Sequence, residues 1–436
     1  MEYFLTYLAV AILVSSNSLF GQKAAIKSVA KVSGFRASVV KVDITPDNPQ
    51  RLRGYQERIS TGVHDHIYHR IVALDDGNTQ FFLISSDAAS MSPAQYDRVS
   101  TQLNRHYGIN PVNFWWSLTH THSAPETSEP GIVVLFMPER FKMPLDTIYT
   151  NMVERKLIKG IIEAHNKLVP ARLGVGWGFS QANINRRAII DGTAFLGMNP
   201  DGAVDRRIGL LKIDKEDGTP LVCVANYPIH GTVMGPSNLL ISGDVAGAMS
   251  QYFEKTIGVP LLFINGAGGN LAPLYSGYSN FTGLDFFKAI LGDRIIDAYR
   301  RICETTDQIK LSTGSIVVET PRKPGLGWPS DYCKYTRTTN TGVNLVRLPI
   351  RFLKINEDIM IWSSPVELFC EISNGIRDHS PFQYTFYYGY TNGTFAYMPT
   401  EAEWKLKGYE TDVCVFTPSA ENDITEAVLN YLLKHR

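Results

Sequence analysis

The sequence has no excess of charge of either sign. Its 436 residues include 42 Lys and Arg and 42 Asp and Glu, so the formal net charge is zero. Nucleic-acid binders need a basic excess to neutralise phosphates, so we expect no nucleic-acid partner. Disorder requires low hydrophobicity with high net charge. With 44% hydrophobic and 19% charged residues, the composition is instead typical of a globular protein with a large core.

Cysteine is scarce, and two common hydrolase motifs are missing. The five cysteines are far apart and form no CxxC pair, which excludes a disulfide framework and a cysteine zinc knuckle. Their spacing names no disulfide pair. Neither HExxH nor GxSxG occurs, which argues against gluzincin and α/β-hydrolase chemistry.

The longest apolar run stands at the N-terminus, at residues 4–14 (FLTYLAVAILV). A membrane span needs about 20 residues, so we expect no stable membrane span. Small and polar residues follow the run, and the pattern predicts a signal peptide over residues 1–21 and an exported mature chain, 22–436, in the periplasm or outside the cell. The alternative is a buried N-terminal helix.

Periodicity predicts an α/β fold. Short β-branched and aromatic runs bounded by turn residues indicate strands, and mixed sheets flanked by helices are expected because regular βαβ alternation is missing. The chain shows no repeat and is interpreted as a single large domain. Residues 321–341 are the most irregular stretch and are interpreted as a surface loop or lid. Helices are predicted at 95–107, 145–168, 245–255, 284–302 and 420–433.

A hydrophobic strand that contains Phe114 runs directly into a His-x-His motif, His120 and His122. Alternate residues of a strand share a face and lie about 6.5–7 Å apart, so both imidazoles can enter one pocket. One would hold a metal ion and the other would face a substrate. The alternative is a pair of polar residues that close a strand.

Other polar residues follow predicted strands. His230 stands after the strand 221–227 and is either a second metal ligand or a satisfied core histidine. Asp244 is interpreted as a helix N-cap. His64, His66 and His69 are interpreted as solvated residues at a strand edge.

A glycine-rich segment, residues 265–273 (NGAGGNLAP), follows a further strand. It resembles a glycine-rich loop that binds an anion, but it lacks the GK[ST] sequence of a P-loop and the glycine spacing of a dinucleotide-binding motif. Close backbone packing beside a functional site is the better interpretation.

A series of short motifs resembles, in order, segments of the neutral/alkaline ceramidases. The resemblance runs from about Val39 to Tyr409. The motifs are 119–125 (THTHSAP), 183–186 (NINR), 227–232 (YPIHGT), 240–244 (LISGD), 268–273 (GGNLAP), 365–367 (PVE), 397–404 (YMPTEAEW) and 408–410 (GYE).

The resemblance implies a zinc amidase in which metal-activated water attacks an amide bond. Zinc accepts imidazole and carboxylate ligands and keeps one position for water in catalytic sites. The residues that match the ligands of the family are His120, His230, Glu367 and Tyr397. Those that match positions around the scissile group are His122, Arg186 and Tyr409.

Two departures from the family pattern affect function. Ceramidases carry a serine with a proposed catalytic role where this chain has Ala272, so an acyl-serine route is excluded at that position. The chain also ends soon after Tyr409, and the C-terminal β-sandwich domain of the family is therefore expected to be absent.

Three functions remain open from the sequence. The first is a secreted zinc hydrolase that cleaves an N-acyl sphingolipid or a similar lipid amide. The second is a hydrolase with the same metal site that cleaves a carbohydrate substrate, either a glycoside or an ester. Aromatic residues would be available to stack on its sugar rings. The third is a non-catalytic binding protein. The aromatic residues considered for sugar stacking are Trp328, Tyr332, Tyr335 and Trp404.

Overall fold

An eight-stranded mixed sheet carries the predicted site. The computed structural model describes residues 34–436, so the predicted signal peptide lies outside the described residues. From one edge to the other, the strands are Leu261–Asn265, Pro220–Tyr227, Arg207–Lys215, Val169–Phe179, Arg36–Asp43, Tyr68–Asp75, Gln80–Ser86 and Phe114–Leu118.

The two edge strands of this sheet are parallel to their neighbours, and the inner pairs are antiparallel. Phe114–Leu118 and Leu261–Asn265 are buried at every residue. Continuous apolar runs of this kind are expected of strands covered on both faces. The carboxyl ends of these two edge strands lead into the segments that carry the site.

The helices pack against the eight-stranded sheet and against a second sheet, which is described below. Thr147–Asn166 approaches the main sheet closely at Gly160, where a Cβ would lie 2.5 Å from the Ile71 side chain. The α-helices are Pro93–Tyr107, Thr147–Asn166, Asp244–Ile257, Thr282–Phe287, Asp293–Arg301, Cys370–Asp378, Glu401–Lys405, Tyr409–Asp412 and Ala420–Lys434. Short 3₁₀ helices are Pro111–Asn113, Gly131–Leu135, Pro138–Phe141 and Ser330–Tyr335.

A second sheet and several small strand pairs complete the structure. The second sheet consists of Leu311–Pro321, Asn344–Ile355, Ile359–Ser363 and Tyr384–Tyr388, with Thr336–Thr338 paired to Asn344–Ile355. A three-stranded sheet consists of Thr193–Asn199, Asn183–Ile190 and Leu271–Pro273. The two-stranded pairs are Gly62–Val63 with Leu240–Ile241, Arg51–Leu52 with Arg58–Ile59, and Glu367–Leu368 with Tyr397–Met398.

The predicted fold class is confirmed, since helices flank mixed sheets. All five predicted helices are present, although the fourth is divided by a π-helical turn at Lys288–Gly292. The sequence did not predict the helix Cys370–Asp378 or the hairpin Asn183–Asn199. The single domain at 22–436 stays a prediction.

Residues 321–341 lie at the surface, as expected, since all but Tyr332 are exposed or half-buried, and a role as a lid stays a prediction. This stretch contains the 3₁₀ helix Ser330–Tyr335 and the strand Thr336–Thr338. Tyr332 is fully buried and donates a hydrogen bond from its hydroxyl to the Thr394 carbonyl oxygen. Trp328, Tyr335 and Trp404, the other residues considered for sugar stacking, are partly buried against the hydrophobic core.

Among residues 34–436, no helix combines the length and the apolar character that a membrane crossing needs. The five cysteines are free, and three of them, Cys223, Cys370 and Cys414, are buried.

Candidate metal centre and active site

The His-x-His motif leaves the strand Phe114–Leu118 in an unusual backbone conformation. His120 has a φ of 61°, which non-glycine residues adopt rarely and mostly where the surroundings enforce it. Its backbone N–H donates to the Ala88 carbonyl oxygen. The turn directs the chain from the sheet edge into the site.

The segment that carries His230 runs beside the His-x-His segment. Thr121 and Gly231 form a parallel bridge, and the His122 N–H donates to the Gly231 carbonyl oxygen over 2.9 Å. Two histidine-bearing segments that are 110 residues apart in the chain are thus held in one register.

Asn265, the last residue of its strand, ties both segments together. Its Nδ2 donates to the carbonyl oxygens of Thr119, at 3.2 Å, and Ile229, at 2.7 Å. These are the residues that immediately precede His120 and His230. A single buried amide therefore fixes the spacing between the two imidazoles.

Glu367 and Tyr397 face each other in register on a pair of short parallel strands. Both side chains are buried. The backbone also approaches closely here, because a Cβ on Gly269 would lie 2.4 Å from the Glu367 carbonyl oxygen. The interpretation of the glycine-rich segment as close packing beside a site agrees with this contact.

Hydrogen bonds define which nitrogen of each histidine is available. His120 Nδ1 lies 2.6 Å from the Ala89 carbonyl oxygen, and His230 Nδ1 lies 2.8 Å from that of Gly268. A carbonyl oxygen can only accept, so each Nδ1 carries a proton and each neutral ring presents an Nε2 lone pair.

Both lone pairs face the same carboxylate. Glu367 Oε2 lies 3.2 Å from His120 Nε2 and 3.4 Å from His230 Nε2. Among the described residues, neither His230 Nε2 nor Glu367 Oε2 has a hydrogen-bond partner. Acceptors that converge without a proton between them repel one another, and a bound cation would relieve the repulsion. Two imidazoles and a carboxylate are a donor set that suits zinc.

Burial keeps His122 and His230 neutral. Burial, followed by the charge of Arg186, lowers the pKa of His230 to about 4. Burial and then the neighbouring His120 and His230 hold the pKa of His122 well below its usual range. Neutral imidazoles are the form that binds metal ions or accepts protons.

His122 lies beside His120 and His230. Unlike theirs, its Nδ1 donates to no carbonyl oxygen among the described residues. Its Nε2 lies 3.3 Å from His120 Nε2, and its Nδ1 is buried without a partner among residues 34–436. The ligand nitrogens of His120, His122 and His230 lie within 4.8 Å of one another. Gly54 leaves room for the ring, since a Cβ there would lie 2.4 Å from His122 Cγ.

Arg186 reaches the site from the strand Asn183–Ile190. Its Nε donates to Glu410 Oε1 over 2.8 Å, and its guanidinium lies 5.4 Å from the centre of the Tyr397 ring. Glu410 Oε2 accepts from Arg187 Nη1 over 2.6 Å, so one buried carboxylate holds two arginines. Arg186 Nη2 is buried and has no partner in the part of the chain that the structure describes.

Tyr397 and Tyr409 lie beside each other, with ring centres 5.6 Å apart. Burial and then the charge of Glu367 raise the pKa of both phenols, that of Tyr397 far above its usual range. Without a bound cation both hydroxyls are therefore protonated. Tyr409 lines the cleft that opens over His120 and His122.

The structure thus brings together the seven residues that the resemblance selected. The residues are His120, His122, Arg186, His230, Glu367, Tyr397 and Tyr409. Ala272 lies in the adjoining strand, paired with Ile184, and offers no nucleophile.

Two interpretations from the sequence need correction. Asp244 is not an N-cap: it is the first residue of its helix, and its carboxylate accepts from the backbone of Val233 and Met234, which follow His230. His69 is not solvated, because the strand Tyr68–Asp75 places it in the core, bonded to Ser86 and Val153.

His64 and His66 are exposed, as expected, and neither belongs to the site. His64 stacks on Phe281, and His66 contacts the Asp43 carboxylate.

Sequence reasoning missed three residues that shape the site. Glu410 was noted only as part of a motif, and Asn265 only as part of a glycine-rich segment. Tyr390 belongs to none of the motifs; its ring centre lies 4.2 Å from that of His120 in a stacked arrangement, and its backbone φ is 53°. The Asn-Gly pair that begins at Asn392, which is typical of a turn, was the one sequence feature that could have drawn attention to Tyr390.

Comparison with known proteins identifies relatives. Neutral ceramidase B of Dictyostelium discoideum is 28% identical over 273 residues, which are 58% of this chain and 37% of that protein. Neutral ceramidase of Pseudomonas aeruginosa is 25% identical over 253 residues, or 55% of this chain and 37% of that protein. The chain therefore spans about a third of the length of these relatives.

Solved structures establish the fold. The crystal structure of neutral ceramidase from Pseudomonas aeruginosa superposes with a TM-score of 0.74 at 18% identity, covering 91% of this chain and 74% of that chain. A structure described as ceramidase complexed with C2 gives a TM-score of 0.75 at 17% identity, with the same coverage.

The family resemblance deduced from the sequence is confirmed. A family model described as neutral/alkaline non-lysosomal ceramidase, N-terminal, matches residues 35–265, which is more than half of the chain. The chain belongs to the neutral/alkaline non-lysosomal ceramidase family.

Proposed function

We propose that the protein is a zinc-dependent hydrolase that cleaves the amide bond of an N-acyl lipid, such as a ceramide. The observation that carries the proposal is the convergence of His120 Nε2, His230 Nε2 and Glu367 Oε2, the last two of which have no hydrogen-bond partner among the described residues. Tyr397 would complete the ligand set. Membership of a ceramidase family supports an amide as the bond that is cleaved.

A bound zinc ion would polarise the substrate carbonyl and lower the pKa of a water molecule in its open coordination position. His122 is the residue placed to move the proton. Its ring is neutral and can take a proton from the attacking water, then pass it to the leaving amine. A positioned acid–base group of this kind contributes about 10²–10⁴-fold to the rate.

Arg186 and Tyr409 would stabilise the negative charge that develops on the amide oxygen. Arg186 Nη2 has no partner among the described residues, and the raised pKa of Tyr409 keeps its hydroxyl protonated. Both groups are therefore available as donors. One such donor can contribute about 3 kcal/mol to stabilisation of the transition state.

The alternative with a glycan substrate loses its support, because the four aromatic residues that suggested sugar stacking do not line the cleft. The non-catalytic alternative is disfavoured by a complete set of site residues. We also propose that the protein is exported, on the basis of the apolar run at residues 4–14.

The test is release of fatty acid from short-chain ceramide by purified, zinc-loaded protein. We expect release that a chelator abolishes and that zinc restores. His122→Ala should retain zinc and lose at least about 100-fold in kcat. If the zinc-loaded protein releases no fatty acid from any N-acyl lipid, the proposal is wrong.

A further inference from the structure

The cleft over the site has an apolar wall that carries a single cation. The wall is built by the 3₁₀ helices Gly131–Leu135 and Pro138–Phe141. Val133 and Met137 line the cleft from this wall, together with Arg140. The cavity itself is narrow, with a volume of about 60 Å³. A cavity of this volume does not enclose a long-chain substrate, and the apolar wall offers a surface for the remainder.

Arg51 and Arg53 line the cleft beside this wall, where Arg53 stacks on Phe141, and two glutamates balance their charge. Arg51 and Arg53 share one carboxylate, that of Glu126: Arg51 Nε donates to it over 2.8 Å and Arg53 Nη1 over 3.2 Å. One carboxylate thus faces two guanidinium groups. Glu57, which is exposed at the rim, supplies the one further negative charge of the outer cleft.

Arg140 has no such partner. Among residues 34–436, no carboxylate forms an ion pair with it and no side-chain hydrogen bond involves its guanidinium. It is only partly exposed, and it lies close enough to Tyr409 for its charge to oppose the rise in the pKa of that phenol. A half-buried guanidinium beside apolar side chains is poorly solvated, and it gains most from a planar anion that it can bind with two hydrogen bonds.

We propose that Arg140, supported by Arg51 and Arg53, forms a subsite for a negatively charged group on the substrate. The substrate would then be an amphiphilic N-acyl compound with a carboxylate, sulfonate or phosphate, whose chain lies along Val133 and Met137. This inference rests on the proposed amide hydrolysis. It adds a preference for anionic substrates, so a neutral lipid such as ceramide would be cleaved more slowly than an anionic N-acyl compound.

The experiment compares two substrates that differ only in charge, N-dodecanoylglycine and N-dodecanoylglycinamide, by release of dodecanoic acid from zinc-loaded protein. We expect kcat/KM to be at least about 10-fold higher for the anion, as for a charge-assisted hydrogen bond. Arg140→Gln should remove most of this preference by slowing only the anionic substrate. Lys142→Gln is the matched control: Lys142 is exposed, pairs with Glu139 and does not line the cleft, so the preference should remain.

Three results would overturn the subsite. The first is equal or faster release from the neutral compound, which would leave amide hydrolysis intact. The second is an Arg140→Gln variant that slows both compounds equally. The third is no release from either compound or from short-chain ceramide; this result would refute the proposed hydrolase and the subsite with it.

Discussion

Gly231 lies against the main chain of His120 with no space for a side chain between them. A Cβ on Gly231 would be 2.5 Å from the His120 carbonyl oxygen and 2.6 Å from Thr121 Cα. The contact is with backbone, which cannot swing away as a flexible side chain can. The distance between the two histidine-bearing segments therefore depends on this glycine.

Gly231→Ala should force these segments apart. Overpacking of this kind costs about 1–3 kcal/mol, and we expect a lower free energy of unfolding and weaker zinc binding. Denaturant unfolding and zinc titration would measure both. Gly375→Ala is the control, since Gly375 lies in a helix with open space around its Cβ position. Unchanged zinc affinity in Gly231→Ala would contradict the account.

We expect Glu410 to affect the reaction through Arg186, to which it is hydrogen-bonded. Glu410→Gln removes the charge that holds the Arg186 guanidinium, so we expect kcat to fall by about 10-fold or more while zinc content and KM change little. Steady-state kinetics with short-chain ceramide would separate kcat from KM.

Glu403→Gln provides the matched control for Glu410. Glu403 contacts Arg187 but not Arg186. This variant should keep kcat close to that of the wild type. A loss of stability without a change in kcat in Glu410→Gln would assign Glu410 a purely structural role.

His69 should make the fold sensitive to acid. Burial lowers its pKa from the usual 6.5 to about 4, so the folded protein binds this proton more weakly than the unfolded chain. The contribution of neutral His69 to the free energy of unfolding is fully present above pH 6.5. It is lost as the pH falls towards 4, and the total loss is about 3 kcal/mol. His69→Gln should lose less stability over this range in denaturant titrations, whereas His66→Gln, at an exposed position, should behave as the wild type. Equal acid sensitivity of His69→Gln and the wild type would contradict this assignment.

The sequence predicted the regular elements with long and consistent patterns. The helix Thr147–Asn166 has apolar residues at helical spacing, and the structure adds Asp146 as its N-cap. The helix Cys370–Asp378 was missed because it is only nine residues long and closely follows the short strand Glu367–Leu368. Tyr332 was considered for sugar stacking, yet its aromatic ring is buried against Phe395.

The site was predicted from motifs rather than from spacing. Periodicity placed His120 and His122 on one side of a strand end, but nothing local connects them with Glu367. The role of Glu410 could not be deduced, because it depends on a contact with Arg186, 224 residues away. Arg140 belongs to no sequence motif either. The role proposed for it depends on the absence of an ion-pair partner among the described residues, which only the structure reveals.

The central claim is that His120, His230 and Glu367 bind one zinc ion. Elemental analysis of purified wild type, His120→Ala, His230→Ala, His122→Ala and His66→Ala tests it most directly. We predict one zinc per chain in the wild type, in His122→Ala and in the His66→Ala control, and a large loss of zinc in His120→Ala and His230→Ala. Full zinc occupancy in both His120→Ala and His230→Ala would contradict the account.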